Sequence, residues 1–247
     1  GHIYAKCDAL DGLRDGLIDD PRACQFDPEE DLPRCDGVDE ATCFSNEEIA
    51  ALKQYYASVK LAGDVIYPGH PVGSEVSGPG YDGVARSGWI PWLINERGPA
   101  LLDLLGSDFF RYMVFVEDDP DFDWTKFNYD AIPDNLGQFR DIVDAVDADL
   151  RTYRDSGGKL ISYFGWADPD INPLTAISYH EAVAKRVSGD VNDFYRLFMV
   201  PGMFHCAGGP GADSFDVMTP LINWVEGEQK PASISAQHMQ KGEIKFS

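Results

Sequence analysis

The stretch KLISYFGWADPDINP, residues 159–173, joins a strand-like apolar run to a polar turn. A second run of this kind, DFYRLFMV at residues 193–200, leads into PGMFHC. Helical sequences come before, between and after the two runs: VDADLRTYRDSGGK (146–159), NPLTAISYHEAVAKRV (172–187) and FDVMTPLINWVEG (215–227). The order helix, strand, helix, strand, helix is typical of a parallel sheet and predicts an α/β fold.

Each predicted strand delivers one ionisable residue to the loop that follows it. Asp168 lies three residues past Gly165, and His205 lies five past Val200. Because sites in open α/β sheets gather beyond the carboxyl ends of the strands, we expect the two side chains to face each other. A neutral imidazole is the general base best matched to neutral pH, and a carboxylate on its second nitrogen fixes the tautomer. The pair is therefore a candidate acid and base.

Structural alternatives exist for both residues. Asp168 precedes a proline, and Asp-Pro is a common turn, while a lone histidine such as His205 is more often structural. Their position after consecutive strands, with Asp before His as in α/β-hydrolases, favours the acid–base hypothesis. The other histidines have no such setting: His2, His70, His180 and His238.

The nucleophile of such a site is expected to be a serine in a G-x-S-x-G turn between a strand and a helix. No serine upstream of Asp168 has glycine at both −2 and +2. Ser74 and Ser77 lie in the glycine-rich VGSEVSGPG but follow no clear strand–helix pattern. We therefore expect the nucleophile to lie before Gly1, on a segment outside this chain.

The first 43 residues contain four of the five cysteines, Cys7, Cys24, Cys35 and Cys43, and Cys206 stands apart. This distribution predicts two local disulfides and an odd thiol in a secreted or periplasmic protein.

The segment CDALDGLRDGLIDDPRAC, residues 7–24, places Asp8, Asp11 and Asp15 between two cysteines. Three carboxylates this close repel one another and gain from a hard cation such as Ca²⁺, while Gly12 and Gly16 allow the backbone to curl. The spacing differs from that of an EF-hand. The alternative is a solvated acidic turn.

The composition excludes two classes of partner. The formal net charge is −22 and the isoelectric point about 4.3, so the surface repels nucleic acid and anionic membranes. No stretch approaches the roughly 18 consecutive apolar residues of a membrane helix. We expect no nucleic-acid partner and no membrane span.

The rest of the chain is less regular. Residues 1–45 are predicted to be loop-like. A capping box of Ser45 and Glu48 opens a predicted helix at 45–60, and PALLDLLGSDFFRYMVF (99–115) predicts another. Residues 64–98 are interpreted as an irregular, packed excursion and residues 116–135 as an acidic loop, while the C-terminal tail alternates like a strand.

Four motifs together resemble the tannase/feruloyl esterase family over nearly the whole chain: the acidic segment at 7–24, YPGHPVGSE (67–75), GGKLISYFGWADPDINP (157–173) and FYRLFMVPGMFHC (194–206). The resemblance is to the C-terminal two-thirds or so of a family member. It implies part of an α/β-hydrolase sheet with a large irregular lid domain. Residues 1–146 would be the lid domain, with a calcium loop and two disulfides. Residues 147–247 would be the C-terminal part of the core.

The resemblance also implies a function and its residues. The protein would be a serine esterase that hydrolyses esters of aromatic carboxylic acids, such as ferulate or gallate, through an acyl-enzyme, with Asp168 as the acid and His205 as the base. A structural Ca²⁺ would be bound by the side chains of Asp8, Asp11 and Asp15 and the carbonyls of Leu13 and Leu17. Cys7 would pair with Cys24, Cys35 with Cys43, and Cys206 with a cysteine beside the nucleophile on the missing N-terminal segment.

The departure from the family is that no nucleophile turn and no oxyanion hole can be named in this chain. Alone, it is expected to be inactive. The alternative is a non-catalytic, calcium-stabilised binding domain on a hydrolase scaffold. Aromatic residues of the predicted lid are candidates for a slot around a flat acyl group, or else simply its core: Trp89, Trp92, Phe109, Phe110 and Phe115. Arg111 is a candidate partner of a substrate carboxylate or phenol, or a surface ion-pair residue.

Overall fold

The computed structural model describes residues 1–37, 42–61, 63–79, 84–95, 97–128, 142–240 and 243–246. The helices there are α1 (His2–Cys7), α2 (Pro28–Asp31), α3 (Asn46–Tyr56), α4 (Leu101–Phe109), α5 (Arg151–Asp155), α6 (Pro173–Arg186) and α7 (Met218–Gly227). The strands are β1 (Val59–Leu61), β2 (Asp64–Tyr67), β3 (Ser77–Pro79), β4 (Ala85–Ser87), β5 (Leu160–Gly165), β6 (Tyr195–Val200), β7 (Ser214–Phe215), β8 (Ala236–Gln240) and β9 (Glu243–Phe246). Within these ranges no helix is long and apolar enough to cross a bilayer.

The strands β5 and β6 form the predicted parallel pair. Their residues pair one to one, from Leu160 opposite Tyr195 to Gly165 opposite Val200. Helices α5, α6 and α7 come before, between and after them, in the predicted order. The α/β fold class is therefore confirmed. Because the register carries no offset, both strands end at the same level, and the loops that follow them begin side by side.

An apolar cluster packs α6 against the start of β6. Val183 is fully buried and contacts a set that includes Val187, Phe194 and Tyr195. Val183 and Val187 are one helical turn apart, so they point to the same side. Burying a side chain of this size stabilises the fold by about 1.5–3 kcal/mol. This cluster fixes the helix that begins immediately after the Asp168 turn.

Asn172 starts α6 and also ties it to a distant segment. Its Oδ1 accepts a hydrogen bond from the Leu174 N–H at 3.0 Å, which is an N-cap, and Pro173 occupies the first helical position. Its Nδ2 donates to the carbonyl of Pro68 at 2.6 Å. The side chain is completely buried. One residue thus joins the YPGHPVGSE segment to the α/β core.

The N-terminal region is more ordered than the sequence predicts. The prediction of a loop over residues 1–45 is wrong at α1 and α2. In α1, Ile3 and Cys7 lie four residues apart and are both buried, in contact with a cluster that includes Ile18 and Val72. The helix is therefore stabilised by distant residues, which a local pattern does not reveal.

The two local disulfides are present. Cys7 bonds to Cys24 with their Cα atoms 5.5 Å apart, and Cys35 bonds to Cys43 with their Cα atoms 4.9 Å apart. Both pairings implied by the resemblance are confirmed. Cys206 is the remaining cysteine; it is exposed and outside any disulfide of the described residues.

The predicted capping box of α3 is present, but the helix is shorter than expected. The Glu48 N–H donates to Ser45 Oγ at 3.1 Å, and the Ser45 N–H donates to Glu48 Oε2 at 2.8 Å. The helix ends at Tyr56, and Val59–Leu61 forms β1, in keeping with the strand preference of β-branched residues. The helix predicted at 99–115 is α4 followed by a wider turn over Phe110–Val114.

Short hairpins account for much of the remaining described chain. Residues 64–98, predicted to be irregular, contain β2 paired with β1 and the hairpin β3–β4. The tail forms the hairpin β8–β9, with β7 alongside β8. The predicted acidic loop includes a single turn at Trp124–Lys126, and its residues 129–135 lie outside the described ranges. The division at residues 146/147 stays a prediction.

Candidate active site

The loops after β5 and β6 are held against each other where the strands end. The Trp166 N–H donates to the Val200 carbonyl at 2.9 Å, and the Ala167 N–H donates to the Met203 carbonyl at 3.1 Å. A Cβ added at Gly165 would lie 2.3 Å from the Met203 carbonyl oxygen, so only glycine allows this approach. The backbone contact brings the two predicted site residues together.

The two carboxylate oxygens of Asp168 have different roles: one closes the turn, and the other faces His205. Oδ1 accepts hydrogen bonds from the N–H groups of Asp170 at 2.9 Å and Ile171 at 3.0 Å, which closes the turn. Oδ2 lies 3.0 Å from His205 Nδ1. The side chain is only 3% exposed. Both sequence interpretations of Asp168, turn residue and partner of His205, therefore describe the same side chain.

His205 is held at one ring nitrogen and reaches solvent elsewhere. Its side chain is 25% exposed. With the proton assigned to Nδ1, the ring donates to Asp168 and presents the lone pair of Nε2, the state required of a general base. The ring of Trp92 meets it edge-on, with centroids 5.6 Å apart and planes at 74°. The Asp170 carboxylate lies 3.6 Å from Nε2, too far for a hydrogen bond, and forms an ion pair with the imidazole only when the ring is protonated.

Residues further along the chain fix the loop that carries His205. The Gly208 N–H donates to Asp213 Oδ2 at 2.7 Å. His238 is buried in β8, and its Nδ1 lies 2.7 Å from the carbonyl oxygen of Gly211. Sequence reasoning missed Asp213 and set His238 aside, because their contacts depend on how β7 and β8 fold back on the loop. For Asp170 a local signal existed: it is the second acid of the DPD triplet.

The two upstream serines considered in the sequence are engaged in packing. Ser74 is buried, and its Oγ accepts a hydrogen bond from Trp89 Nε1 at 2.8 Å. Ser77 lies in β3 opposite Ser87 of β4. We assign no nucleophile among the described residues, so its location outside this chain stays a prediction.

The loop predicted to bind calcium is curled as expected. Asp8 Oδ1 accepts from the Gly16 N–H at 2.9 Å, Asp11 Oδ1 from the Leu13 N–H at 2.8 Å, and Asp15 Oδ1 from the Leu17 N–H at 3.1 Å. Gly12 and Gly16 adopt positive φ angles of 99° and 82°.

Asp19 is an additional acid near this loop that the sequence did not single out. Burial raises the pKa of its carboxyl, and the charges of Asp11 and Asp15 add to the increase. Such mutual repulsion among oxygen ligands suits a hard cation. No three His, Cys, Asp or Glu side chains of the described residues converge closely enough to hold a metal ion as arranged here. The calcium site, with Leu13 and Leu17 as carbonyl ligands, stays a prediction.

Two of the five predicted slot aromatics, Trp92 and Phe110, share a cavity. It measures about 310 Å³ and is also lined by Trp124. Trp92 connects it to His205, because the same ring contacts the imidazole. The other three do not line this cavity: Trp89 packs against Tyr55, Phe115 against Phe122, and Phe109 against Phe110 at another surface recess. Arg111 lies 3.6 Å from Asp108, as a surface ion pair does.

An acid and a histidine at the ends of neighbouring parallel strands, in that chain order, are typical of α/β-hydrolases. The comparison with protein families is consistent with this class. The family model "Tannase and feruloyl esterase" matches residues 2–245, and the chain belongs to this family.

Individual relatives carry esterase and hydrolase names. The chain is 35% identical to the mono(2-hydroxyethyl) terephthalate hydrolase of Piscinibacter sakaiensis, across 95% of this chain and 43% of that protein. It is 31% identical to a probable feruloyl esterase of Arthroderma benhamiae, across 94% of this chain and 43% of that protein. The chain thus spans less than half the length of these relatives, so the predicted extent of about two-thirds of a family member is wrong.

Solved structures share the fold. An esterase from Aspergillus oryzae superposes with a TM-score of 0.76 at 23% identity, covering 99% of this chain and 49% of that one. Feruloyl esterase B from Aspergillus oryzae gives a TM-score of 0.74 at 24% identity, covering 99% of this chain and 50% of that one. The described residues therefore have the fold of one half of these molecules.

Proposed function

We propose that this chain supplies the acid and the base of a serine carboxylic ester hydrolase that acts on esters of aromatic carboxylic acids. The observation that carries the proposal is the contact of 3.0 Å between Asp168 Oδ2 and His205 Nδ1, with Asp168 almost fully buried. The serine nucleophile is proposed to lie outside these 247 residues. The names of the relatives support the substrate class.

The proposed mechanism passes through an acyl-enzyme, and the contact between Asp168 and His205 supports the proton transfers it requires. As the serine oxygen attacks the ester carbonyl carbon, its proton passes to Nε2 of His205, and Asp168 stabilises the resulting imidazolium. The imidazolium then protonates the departing alkoxide, which leaves as the alcohol. His205 next takes a proton from water as the water attacks the acyl-enzyme, and it returns that proton to the serine when the carboxylic acid is released.

The cavity next to Trp92 is the proposed position of the aromatic acyl group. A flat ring gains from edge or offset contacts with aromatic side chains, at about 0.5–1.5 kcal/mol per pair beyond the area buried. Trp92 and Phe110 line this cavity, and Trp92 also contacts His205. A ring held there would lie against the same tryptophan that contacts the imidazole.

We also propose a structural Ca²⁺ in the loop of Asp8, Asp11 and Asp15, with the carbonyls of Leu13 and Leu17 completing the ligand set. When bound, the ion would neutralise the clustered carboxylates and cross-link the loop. The two disulfides of this region support an extracellular or periplasmic location. Cys206, exposed beside His205, is proposed to bond to a cysteine near the nucleophile.

The test is hydrolysis of methyl ferulate by the full-length protein and by its His205→Ala variant. We expect kcat/KM to fall at least about a thousandfold, because no other described group takes the serine proton. His2→Ala is the matched control, since His2 is exposed and lies in α1. Near-wild-type turnover by His205→Ala would remove His205 from the mechanism. A wild type without esterase activity would instead favour the non-catalytic binding domain.

A further inference from the structure

Asp170 is an acidic residue at the site for which the proposed mechanism has no role. Its carboxylate Oδ2 lies 3.6 Å from His205 Nε2, while Asp168 faces Nδ1 on the other side of the ring. Both nitrogens of one imidazole therefore face a carboxylate. The Asp170 side chain is 14% exposed, so this charge is largely withdrawn from water.

The position of Asp170 is set by the turn that holds the acid. Its own N–H donates to Asp168 Oδ1 at 2.9 Å, and the next residue, Ile171, donates to the same oxygen. The backbone is therefore fixed within hydrogen-bonding distance of Asp168. Because the turn precedes the capped start of α6 by only two residues, it has little freedom to carry Asp170 away from the ring.

The charge of Asp170 is not neutralised by a basic side chain. No lysine or arginine in the described part of the chain forms an ion pair with it, and His205 does so only when its imidazole is protonated. Burial raises the pKa of the Asp170 carboxyl; the nearby His205 acts in the opposite direction, and Asp168 adds to the increase. A carboxylate in this setting repels any further anion that approaches it.

Nε2 is the nitrogen that exchanges protons with the nucleophile and the leaving alcohol, so groups near it border the reacting ester. We propose that Asp170 is a specificity residue that disfavours esters bearing a second, ionised carboxylate and thereby selects uncharged aromatic esters. This inference rests on the proposed esterase function and concerns the same site. It concerns selectivity among substrates, and the chemical step itself remains with His205 and Asp168.

Coulomb's law gives the size of the effect. If a bound ester holds its second carboxylate about 7 Å from that of Asp170, an effective dielectric constant between about 80 and 20 corresponds to a roughly 3-fold to 50-fold decrease in kcat/KM. The half-buried site lies between these limits. An effect of this size is large enough to measure with a matched pair of substrates.

The test measures kcat/KM of the full-length protein on two esters of nearly the same shape. One is monomethyl terephthalate, which is anionic, and the other is methyl 4-carbamoylbenzoate, its uncharged amide. The variant is Asp170→Asn, which removes the charge and keeps the shape. Glu181→Gln on the exposed side of α6 is the control for net charge. Assays in about 0.15 M salt screen surface charges beyond about 8 Å.

We expect the wild type and Glu181→Gln to prefer the amide ester, and Asp170→Asn to narrow that preference by about 3-fold to 50-fold. An unchanged preference, or an equal loss on both esters, would assign Asp170 a merely structural or histidine-orienting role and overturn the inference.

A wild-type measurement keeps the inference testable should the Asp170→Asn variant be inactive. Methyl 4-(aminomethyl)benzoate carries a cation at the same position, and we expect it to be hydrolysed in preference to monomethyl terephthalate. Equal kcat/KM values for the cationic and anionic esters would contradict the role of Asp170. Failure on all three esters by a wild type that hydrolyses methyl ferulate would contradict the specificity role, because the uncharged ester would be rejected as well. Failure on methyl ferulate too would overturn the proposed function itself.

Discussion

Replacing Asp168 by asparagine and by alanine separates its two roles. Asparagine keeps an oxygen for the N–H groups of Asp170 and Ile171, which lie 2.9 and 3.0 Å from Oδ1. Its amide NH₂ then faces His205 Nδ1 and donates a hydrogen bond to it. The imidazole therefore adopts the other tautomer, with the lone pair on Nδ1 and the proton on Nε2. Because that tautomer does not accept the serine proton, we expect kcat to fall about ten-thousandfold, with stability within about 1 kcal/mol of wild type.

Alanine removes the acceptor as well as the charge. Two backbone N–H groups are then left without their partner in a site where the native side chain is 3% exposed. At about 1–3 kcal/mol for each unsatisfied group, the loss of stability is about 2–6 kcal/mol. Activity falls about as far as in the asparagine variant.

Two assays distinguish these outcomes. Urea unfolding of this chain gives the stability of each variant, and hydrolysis of methyl ferulate by the full-length protein gives kcat. If Asp168 were only a turn residue, Asp168→Asn would keep most of its activity. Activity above about a tenth of wild type in that variant would therefore refute its role as the partner of a catalytic histidine.

Two further predictions concern stability. His70 is partly buried and stacks on Tyr55, and this burial lowers its pKa to about 4. The unfolded chain binds the same proton near pH 6.5, so stability is lost as the pH falls from 6.5 towards 4, by about 2 kcal/mol between pH 7 and pH 5. Urea unfolding at both pH values is expected to show that loss in the wild type but not in His70→Gln, and parallel curves would contradict it. For the calcium loop, a chelator is expected to lower the melting temperature by about 5–10 °C, which is the shift that corresponds to loss of an ion from a site that was about 99% occupied. The Asp15→Asn variant is expected to show no shift when the chelator is added. An unchanged melting temperature of the wild type in the presence of chelator would contradict the calcium site.

The α/β core and α3 are predictable because their signals are local. The apolar runs at β5 and β6 are bounded by polar turns, and the capping box of Ser45 and Glu48 marks the start of α3. In contrast, α1 is only six residues long, and contacts with Ile18 and Val72 support it. A helix of this length has too few turns for a periodic pattern, so the sequence conceals it.

The site divides in the same way. Asp168 and His205 are found because each directly follows a strand, and the unshifted register of β5 and β6 makes the loops meet. Asp213 is missed because its contact with Gly208 arises only when the loop turns back on itself. Of the five slot aromatics, only Trp92 and Phe110 line the cavity beside His205, because tertiary packing decides which ring faces it.

The bond from Asn172 to Pro68 makes one amide group a mechanical link between two parts of the protein. Pro68 belongs to a segment far away in sequence, whereas Asn172 is four residues beyond the acid. A displacement of that carbonyl pulls on the first turn of α6 and, through it, on the carboxylate at position 168. Substitutions within residues 67–75 therefore have to leave the Pro68 oxygen where it is, because Asn172 couples that oxygen to the turn that holds the acid.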